Sequence, residues 1–571
     1  MTRARFWTLL AAILAGSALL RTLYPAADPP WRASVGVVWH DEGAWTHNAR
    51  NKALFGAWRQ DEWNPVYIAP VFTALEYESF AAFGVGLRQA RLVSEALGVI
   101  SVLLLALGLR RVRGPRAALL GAALAATNYV YVMYDRAAIM EGPMAAFIVA
   151  SWYCSTRAEE QPRWGAAAGA MAALAFFTKA AAAFYVGALG LVALLRFLPT
   201  TDAVPRERGE HDGTGRRRLP PEARQAAYAL GGLAVTFGII AAFFVLPHWG
   251  DYRFYNWQMS VTRKPSYDLA SIVQRVIWFP VLHDTFSRSW PELLLTVLGA
   301  WAIAGRWRTA KDSERLLLLW VAVGSLELLV HDDGNERRFV FLLPALAAYT
   351  ALALDARSFE FERPSGATRW LIAPLIFYSW YVLAAPVVRV LFLSDVHAHV
   401  LHGAVRLSAA AALIGGALTL FVLRRSASIS LFFRPAGAIF VLIVLLCWDI
   451  YQFADYARGR TYKNYEAMIA LGHAVPPETL IQGKLANGMD LENRIRPIFI
   501  GHAFGNYADR FSRDDVRYIL TYIVPKPGYE GSQIDDVLAA SPGRRIIMTF
   551  DVAESPGGHD KAALFEKRAR D

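Results

Sequence analysis

The sequence has only two cysteines in 571 residues, Cys154 and Cys447, and each sits inside an apolar block. That scarcity excludes a disulfide framework and a thiolate zinc site, and it leaves the redox compartment open. Charge is sparse too: 19% of the residues are Asp, Glu, Lys or Arg, against 55% that are hydrophobic. Such an apolar excess is more than a soluble core requires, and the first expectation is a membrane protein. The Phe6–Leu20 run, preceded by Arg3 and Arg5, lacks a small-residue cleavage site before the proline-rich stretch Pro25 to Pro30. An uncleaved first span is therefore expected rather than a signal peptide.

What the sequence does contain is a series of separated apolar blocks. Crossing the hydrocarbon core takes roughly 20 mostly apolar residues in a helix. Candidate spans lie near 6–23, 91–109, 117–133, 137–155, 164–178, 180–198, 227–247, 290–305, 316–331, 339–355, 370–392, 405–423 and 435–453, about thirteen in all. The net charge of +11 is not gathered on one amphipathic face, which argues against nucleic acid as a partner. Arginines fall instead in alternate connectors: Arg110, Arg111, Arg113 and Arg116, then Arg216 to Arg218, then Arg306, Arg308 and Lys311, then Arg424 and Arg425. By the positive-inside rule these connectors are cytoplasmic, in a multi-pass inner (plasma) membrane protein. The loops at 24–90 and 248–289 and everything after about residue 454 then lie outside, on the periplasmic side.

The expected architecture is an α-helical polytopic membrane domain over 1–453 and a small soluble α/β domain over 454–571. The segment 199–226, rich in Arg, Glu, Gly and Pro, reads as a flexible cytoplasmic linker. In the C-terminal part a helix is expected at 463–474, with strand-like runs at Thr479 to Ile481, Ile498 to Ile500, Tyr518 to Ile523 and Arg545 to Phe550.

Candidate chemistry starts with Trp39-His40-Asp41-Glu42-Gly43 in the first outer loop. A carboxylate within reach of an acceptor hydroxyl can act as general base, and partial burial raises its pKa toward the working range. Equally, Asp41 would cap a helix running from Glu42 to Leu54. The loop continues with Asp61-Glu62-Trp63-Asn64-Pro65-Val66-Tyr67 and an aromatic-rich stretch to Phe83, suited to the headgroup plane. Glu76 and Glu78 are expected on the polar face of that amphipathic helix.

Beyond Tyr134-Asp135-Arg136, Glu141 falls inside the fourth span, where an ionised group must face a cavity or a partner. Arg136 and Lys179 are its candidate partners. Lys179, after Phe177-Thr178, is placed to hold a phosphate as a point charge. The connector from His331 to Arg338 brings Arg337 and Arg338 to the membrane boundary, where they either fork onto a phosphate or snorkel as anchors. His397, His399 and His402 have metal-like spacing but read as a polar connector.

These features, in this order, resemble the GT-C glycosyltransferases of the protein O-mannosyltransferase and aminoarabinose (lipid A) transferase type. The likeness runs from the first span to about residue 355. It rests on Asp41-Glu42 in a long outer loop, Asn64-Pro65-Val66-Tyr67, Arg136 followed by Glu141-Gly142-Pro143, Thr178-Lys179, and Arg338-Phe-Val-Phe-Leu-Leu-Pro344. The resemblance implies a GT-C fold with interfacial helices in the first outer loop, a polyprenyl-phosphate sugar donor and inverting transfer to a lipid, glycan or protein acceptor. It places Asp41 at the acidic base position and Glu62 at a second acidic position; with the reading of the residues above, the expected site has Asp41 or Glu42 as base and Glu62, Tyr67, Arg136, Glu141, Lys179, Arg337 and Arg338 binding substrate. Trp63-Asn64-Pro65 stands where the aminoarabinose enzymes carry Lys-Pro-Pro. No cofactor is required, although carboxylates could bind a divalent cation. The competing classes are a secondary transporter, which calls for broken helices in matching halves, and a non-catalytic envelope-assembly protein.

Overall fold

The computed structural model describes residues 1–30, 39–196, 221–262, 266–307, 309–331, 336–355, 359–362, 368–392, 398–425, 428–431, 435–500, 509–511, 513–523, 537–553 and 560–567. The expected linker lies outside these residues up to 220, and Pro221 already opens the next helix. His397 also lies outside them.

Every apolar segment read as a span is helical among the described residues. Six helices are long and apolar enough to cross a membrane: Arg3–Thr22, Leu87–Val112, Glu222–Val245, Ile372–Arg389, His402–Arg425 and one within Ala436–Ala474. Four shorter apolar helices accompany them: Trp164–Thr178, Ala180–Leu195, Trp290–Gly305 and Leu343–Asp355. Two of the arginine-bearing connectors meet at one end of this bundle, where Glu314 takes both Arg113 at 3.2 Å and Arg306 at 2.5 Å, and Arg111 pairs with Glu160 at 2.6 Å.

One expected span is not a single helix. The segment near 117–133 breaks into Pro115–Thr127 and Tyr129–Asp135, bent by 62°. Asn128 causes the break by accepting the Tyr131 N–H with its side chain at 3.0 Å, which starts a new helix. A broken helix leaves carbonyls unpaired, and in an apolar setting they need a donor. Arg21 supplies it, donating to the Ala126 carbonyl at 3.2 Å while its Nε meets Asp135 Oδ2 at 2.8 Å. Arg136 returns the service to the first helix, donating to the carbonyls of Leu20 and Arg21 at 2.9 and 3.0 Å and of Tyr24 at 3.0 Å.

The C-terminal part forms a five-stranded sheet in the order Arg496–Ile498, Leu480–Gln482, Tyr518–Tyr522, Asp560–Glu566, Arg545–Val552. The first three strands run parallel, and Asp560–Glu566 pairs antiparallel with both of its neighbours. Helix Lys463–Ala474 packs on the sheet as expected. The strand Asp560–Glu566 was not anticipated, and it is nonetheless the one that joins the parallel and antiparallel halves.

The helix of the first long loop, Asp41–Phe55, is not spread on a surface. It is buried without interruption from Glu42 to Asn51, between the bundle and the C-terminal sheet.

The Arg21–Asp135 pair is fully buried on both sides. Removing one partner strands the other charge, so Asp135→Ala is expected to cost about 3–5 kcal/mol. Thermal unfolding of the detergent-solubilised protein, compared with the parent, measures it.

Candidate active site

Asp41 opens its helix at the first helical position, with His40 as the preceding cap residue. The capping alternative is therefore not realised. The Asp41 carboxylate instead meets Arg337 Nη1 at 2.5 Å, and it keeps 16% side-chain exposure. Arg337 stands on the short turn Glu336–Phe339 and also faces Glu141, its Nε lying 3.6 Å from Oε1. Glu141 is the first residue of the helix Glu141–Ala158 and takes the Lys179 ammonium at 2.5 Å. Lys179 terminates Trp164–Thr178 in an extended conformation, which turns its chain out of the helix.

The result is an alternating chain, Asp41–Arg337–Glu141–Lys179, drawn from four separate elements. Of the two partners expected for Glu141, Lys179 is the one it takes.

Beside this chain lies a cavity of about 360 Å³. Among the described residues, the cations Lys179, Arg337 and Arg338 and the carboxylates Glu141 and Glu327 line it. The rest of the lining is largely apolar, with Trp45, Ile68, Met140, Met144, Met259 and Phe341. Arg338 donates to the His331 carbonyl at 2.5 Å. A cavity of this composition accepts an anionic head joined to an apolar chain.

The other expected site residues are placed differently. Glu42 is clamped by Arg91 through two bonds of 2.7 Å and accepts the Ala138 N–H at 2.9 Å. Both of its oxygens are engaged in holding the helix Leu87–Val112 against the loop, whereas Asp41 keeps partial exposure. Arg136 is spent on the end of the first helix, as described above, and does not reach the cavity lining. Glu62 is exposed, and its carbonyl rather than its carboxylate is bonded, accepting from Tyr255. The anchored acid of that loop is its neighbour Asp61, which accepts from His47 Nε2 at 2.9 Å and from the Phe499 N–H at 3.0 Å. Tyr67 stacks on Tyr255 with ring centroids 5.6 Å apart and gives its carbonyl to Asn256. Burial, with Asp251 adding to it, pushes the Tyr67 phenol above its ordinary range. It is a floor for the loop and not a cavity wall.

Glu76 corrects the amphipathic reading of the helix Pro70–Phe83. Glu78 is exposed as expected, whereas Glu76 is fully buried and neither of its oxygens has a hydrogen-bond partner among the described residues. Burial, reinforced by the charge of Glu42, pushes its carboxyl well above the usual range. Arg91, His47 and Asp61 are further residues that sequence reasoning passed over. A charged residue at the very start of an apolar block, as Arg91 is, was the available signal.

Residues 68–201 match the family of dolichyl-phosphate-mannose-protein mannosyltransferases. No curated protein sequence matches the chain significantly. Among solved structures, the chain is similar to ArnT from Cupriavidus metallidurans in the apo state, with 16% identity, 99% of this chain and 98% of that chain covered, and a TM-score of 0.58. The same enzyme bound to undecaprenyl phosphate gives 16% identity, 98% and 97% coverage, and a TM-score of 0.51. The fold is thus a GT-C fold, a helical bundle with a long structured first loop and a small appended sheet. The family match spans residues 68–201 alone, and the structural likeness over the whole chain is one of fold.

Holding Glu76 neutral carries a pH signature. Its folded pKa lies above its unfolded one, so the folded state binds the extra proton, and stability falls as pH rises from the unfolded value. Glu76→Gln, an isostere of the protonated form, removes that loss. Its melting temperature relative to the parent should rise between pH 5 and pH 8, and an unchanged difference would contradict the neutral assignment.

Proposed function

We propose that the protein is a multi-pass membrane glycosyltransferase that moves a sugar from a polyprenyl-phosphate donor to a lipid, glycan or protein acceptor. The observation that carries this reading is the Asp41–Arg337–Glu141–Lys179 chain beside a cavity that joins largely apolar walls to the cations Lys179, Arg337 and Arg338. The carrier named in the ArnT complex, undecaprenyl phosphate, has the matching chemistry.

The carboxylates act as placeholders for the donor. Buried cations without counter-ions are costly, and Asp41 and Glu141 neutralise Arg337 and Lys179. An arriving phosphate competes for those cations, and as Arg337 turns to it, Asp41 is released from that ion pair to act as a base. Asp41 then takes the proton of the acceptor hydroxyl while the oxygen attacks the anomeric carbon from the face opposite the phosphate. The new C–O bond forms as the bond to the phosphate oxygen breaks. Its electron pair leaves with the polyprenyl phosphate, and the sugar is inverted. Lys179, Arg337 and Arg338 stabilise the charge that develops on the leaving phosphate, a term that is large in a poorly hydrated cleft. Coupling base release to donor binding also keeps Asp41 from activating water before the donor arrives.

In this reading the chain crosses the inner membrane about thirteen times, with 1–453 as the membrane domain and 454–571 as a periplasmic domain. The arginine-rich end of the bundle faces the cytoplasm and the site faces outward. At the acceptor side, Trp63 replaces the lysine of the aminoarabinose enzymes. Its indole donates to the Ala44 carbonyl at 2.7 Å and its ring lies against Phe499, which substitutes a packed wall for a charge.

Asp41→Asn is expected to abolish transfer, with protein level and membrane insertion unchanged. Mass analysis of envelope lipids, glycans and glycoproteins in a strain complemented with each form reads both the loss and the acceptor, and normal product from the variant would remove the base assignment. Lys179→Ala should weaken undecaprenyl phosphate binding at least tenfold while Asp41→Asn does not. For topology, Glu478→Cys in a Cys447→Ala background should react with a membrane-impermeant maleimide in intact spheroplasts. Reaction only after lysis would reverse the orientation.

A further inference from the structure

The C-terminal sheet unit lies against the helix that carries Asp41, and the manner of contact is specific. Gly43, two residues after Asp41, faces the short helix Lys484–Gly488. A Cβ at Gly43 would collide with the Asn487 carbonyl oxygen and stand 2.7 Å from Asp490 Oδ1. Reciprocally, a Cβ at Gly488 would collide with His40, the residue just before Asp41. Backbone therefore touches backbone on both sides of the candidate base.

One turn further, His47 is fully buried and bridges the two parts. Its Nδ1 lies 3.1 Å from Asn487 Nδ2 and its Nε2 lies 2.9 Å from Asp61 Oδ1, while the other Asp61 oxygen accepts the Phe499 N–H. Arg50, one turn on again, is also fully buried. It donates to the carbonyls of Asp490, Asn493 and Ile495, each at 3.0 Å. Gly43, His47 and Arg50 follow one another at helical spacing, so a single stripe of the helix is committed to residues 487–499.

Asp41 lies at the end of that stripe and is tied outside it to Arg337. In the reaction proposed above, that tie passes to the phosphate. The contact of its helix with the C-terminal unit remains in place through that exchange.

From this we infer that the C-terminal unit is a positioning element of the active site, holding the Asp41 helix through Asn487–Asp490 with His47 and Arg50 as positioning residues. The inference rests on Asp41 being the base. It assigns the unit a role in transfer rather than in donor binding, because none of its described residues lines the cavity. Ordering the base beforehand is worth a large rate factor when the reacting groups must meet within a fraction of an ångström.

The test uses the full-length protein. Gly43→Ala forces the two backbones apart without removing any functional group. Transfer in the complemented strain should fall tenfold or more, while binding of undecaprenyl phosphate to the purified variant stays within about twofold. Asn487→Ala, which removes the bond to His47, should show the same split more mildly, and hydrogen exchange of the amides of residues 41–50 should quicken in both. Val537→Ala serves as control. It thins the packing on the far face of the sheet and lowers the melting temperature, yet transfer measured below that temperature should stay within about twofold. Equal losses of transfer in Val537→Ala and Gly43→Ala would reduce the effect to general stability and overturn the inference, as would full transfer by Gly43→Ala. Full transfer by Asp41→Asn would instead strike the proposed reaction itself.

Discussion

The structure turns on one constraint: the Asp41–Phe55 helix is buried, yet it carries Glu42, Thr46, His47, Asn48, Arg50 and Asn51 on its buried surface. Apolar packing cannot stabilise such a helix, because each buried polar group costs free energy until it is bonded. The surrounding elements are arranged as its partners. Arg91 comes from the helix Leu87–Val112 for Glu42. Asn64 and the Val66 N–H come from the turn after the helix for Asn48, at 2.9 Å each. The loop carbonyls of Asp490, Asn493 and Ile495 in the C-terminal unit come for Arg50. A buried polar network of this kind fixes one arrangement more narrowly than an oily contact does, since a shift of one residue leaves several groups unsatisfied at once. The second loop joins it as well: Tyr255 bonds to Asn64 at 2.9 Å and Asn256 to the Tyr67 carbonyl at 2.8 Å.

The helical character of the apolar segments was legible because burial in lipid and burial in protein both demand continuous apolar runs. The site was legible in part. Asp41, Glu141, Lys179, Arg337 and Arg338 could be singled out because ionised groups beside apolar blocks need a reason, and these five do converge on one cavity or its rim. Arg136 and Glu42 satisfied the same criterion and serve architecture instead. Sequence cannot separate the two cases, since a carboxylate clamped by Arg91 and one held by Arg337 are alike until the partner's own surroundings are known.

Two misses have definite causes. The break at Asn128 is invisible to hydropathy, which sees an apolar run through Tyr131 and Met133 and does not register that one side chain competes for a backbone N–H. The strand Asp560–Glu566 contains two alanines, poor strand formers. It forms because it is central in its sheet, where Ala562 and Ala563 are fully buried and the pairing on both edges outweighs intrinsic preference.

The interface between the loop helix and the C-terminal unit has a consequence for variation. On the loop side it is made by side chains and a bare glycine, whereas on the C-terminal side much of it is main chain: the carbonyls of Asn487, Asp490, Asn493 and Ile495 and the Phe499 N–H. Main-chain groups survive almost any substitution that preserves the local path. The C-terminal unit can therefore drift in sequence, or exchange its outward surface for another, without losing its seat. The loop side, by contrast, tolerates little at Gly43, His47 and Arg50.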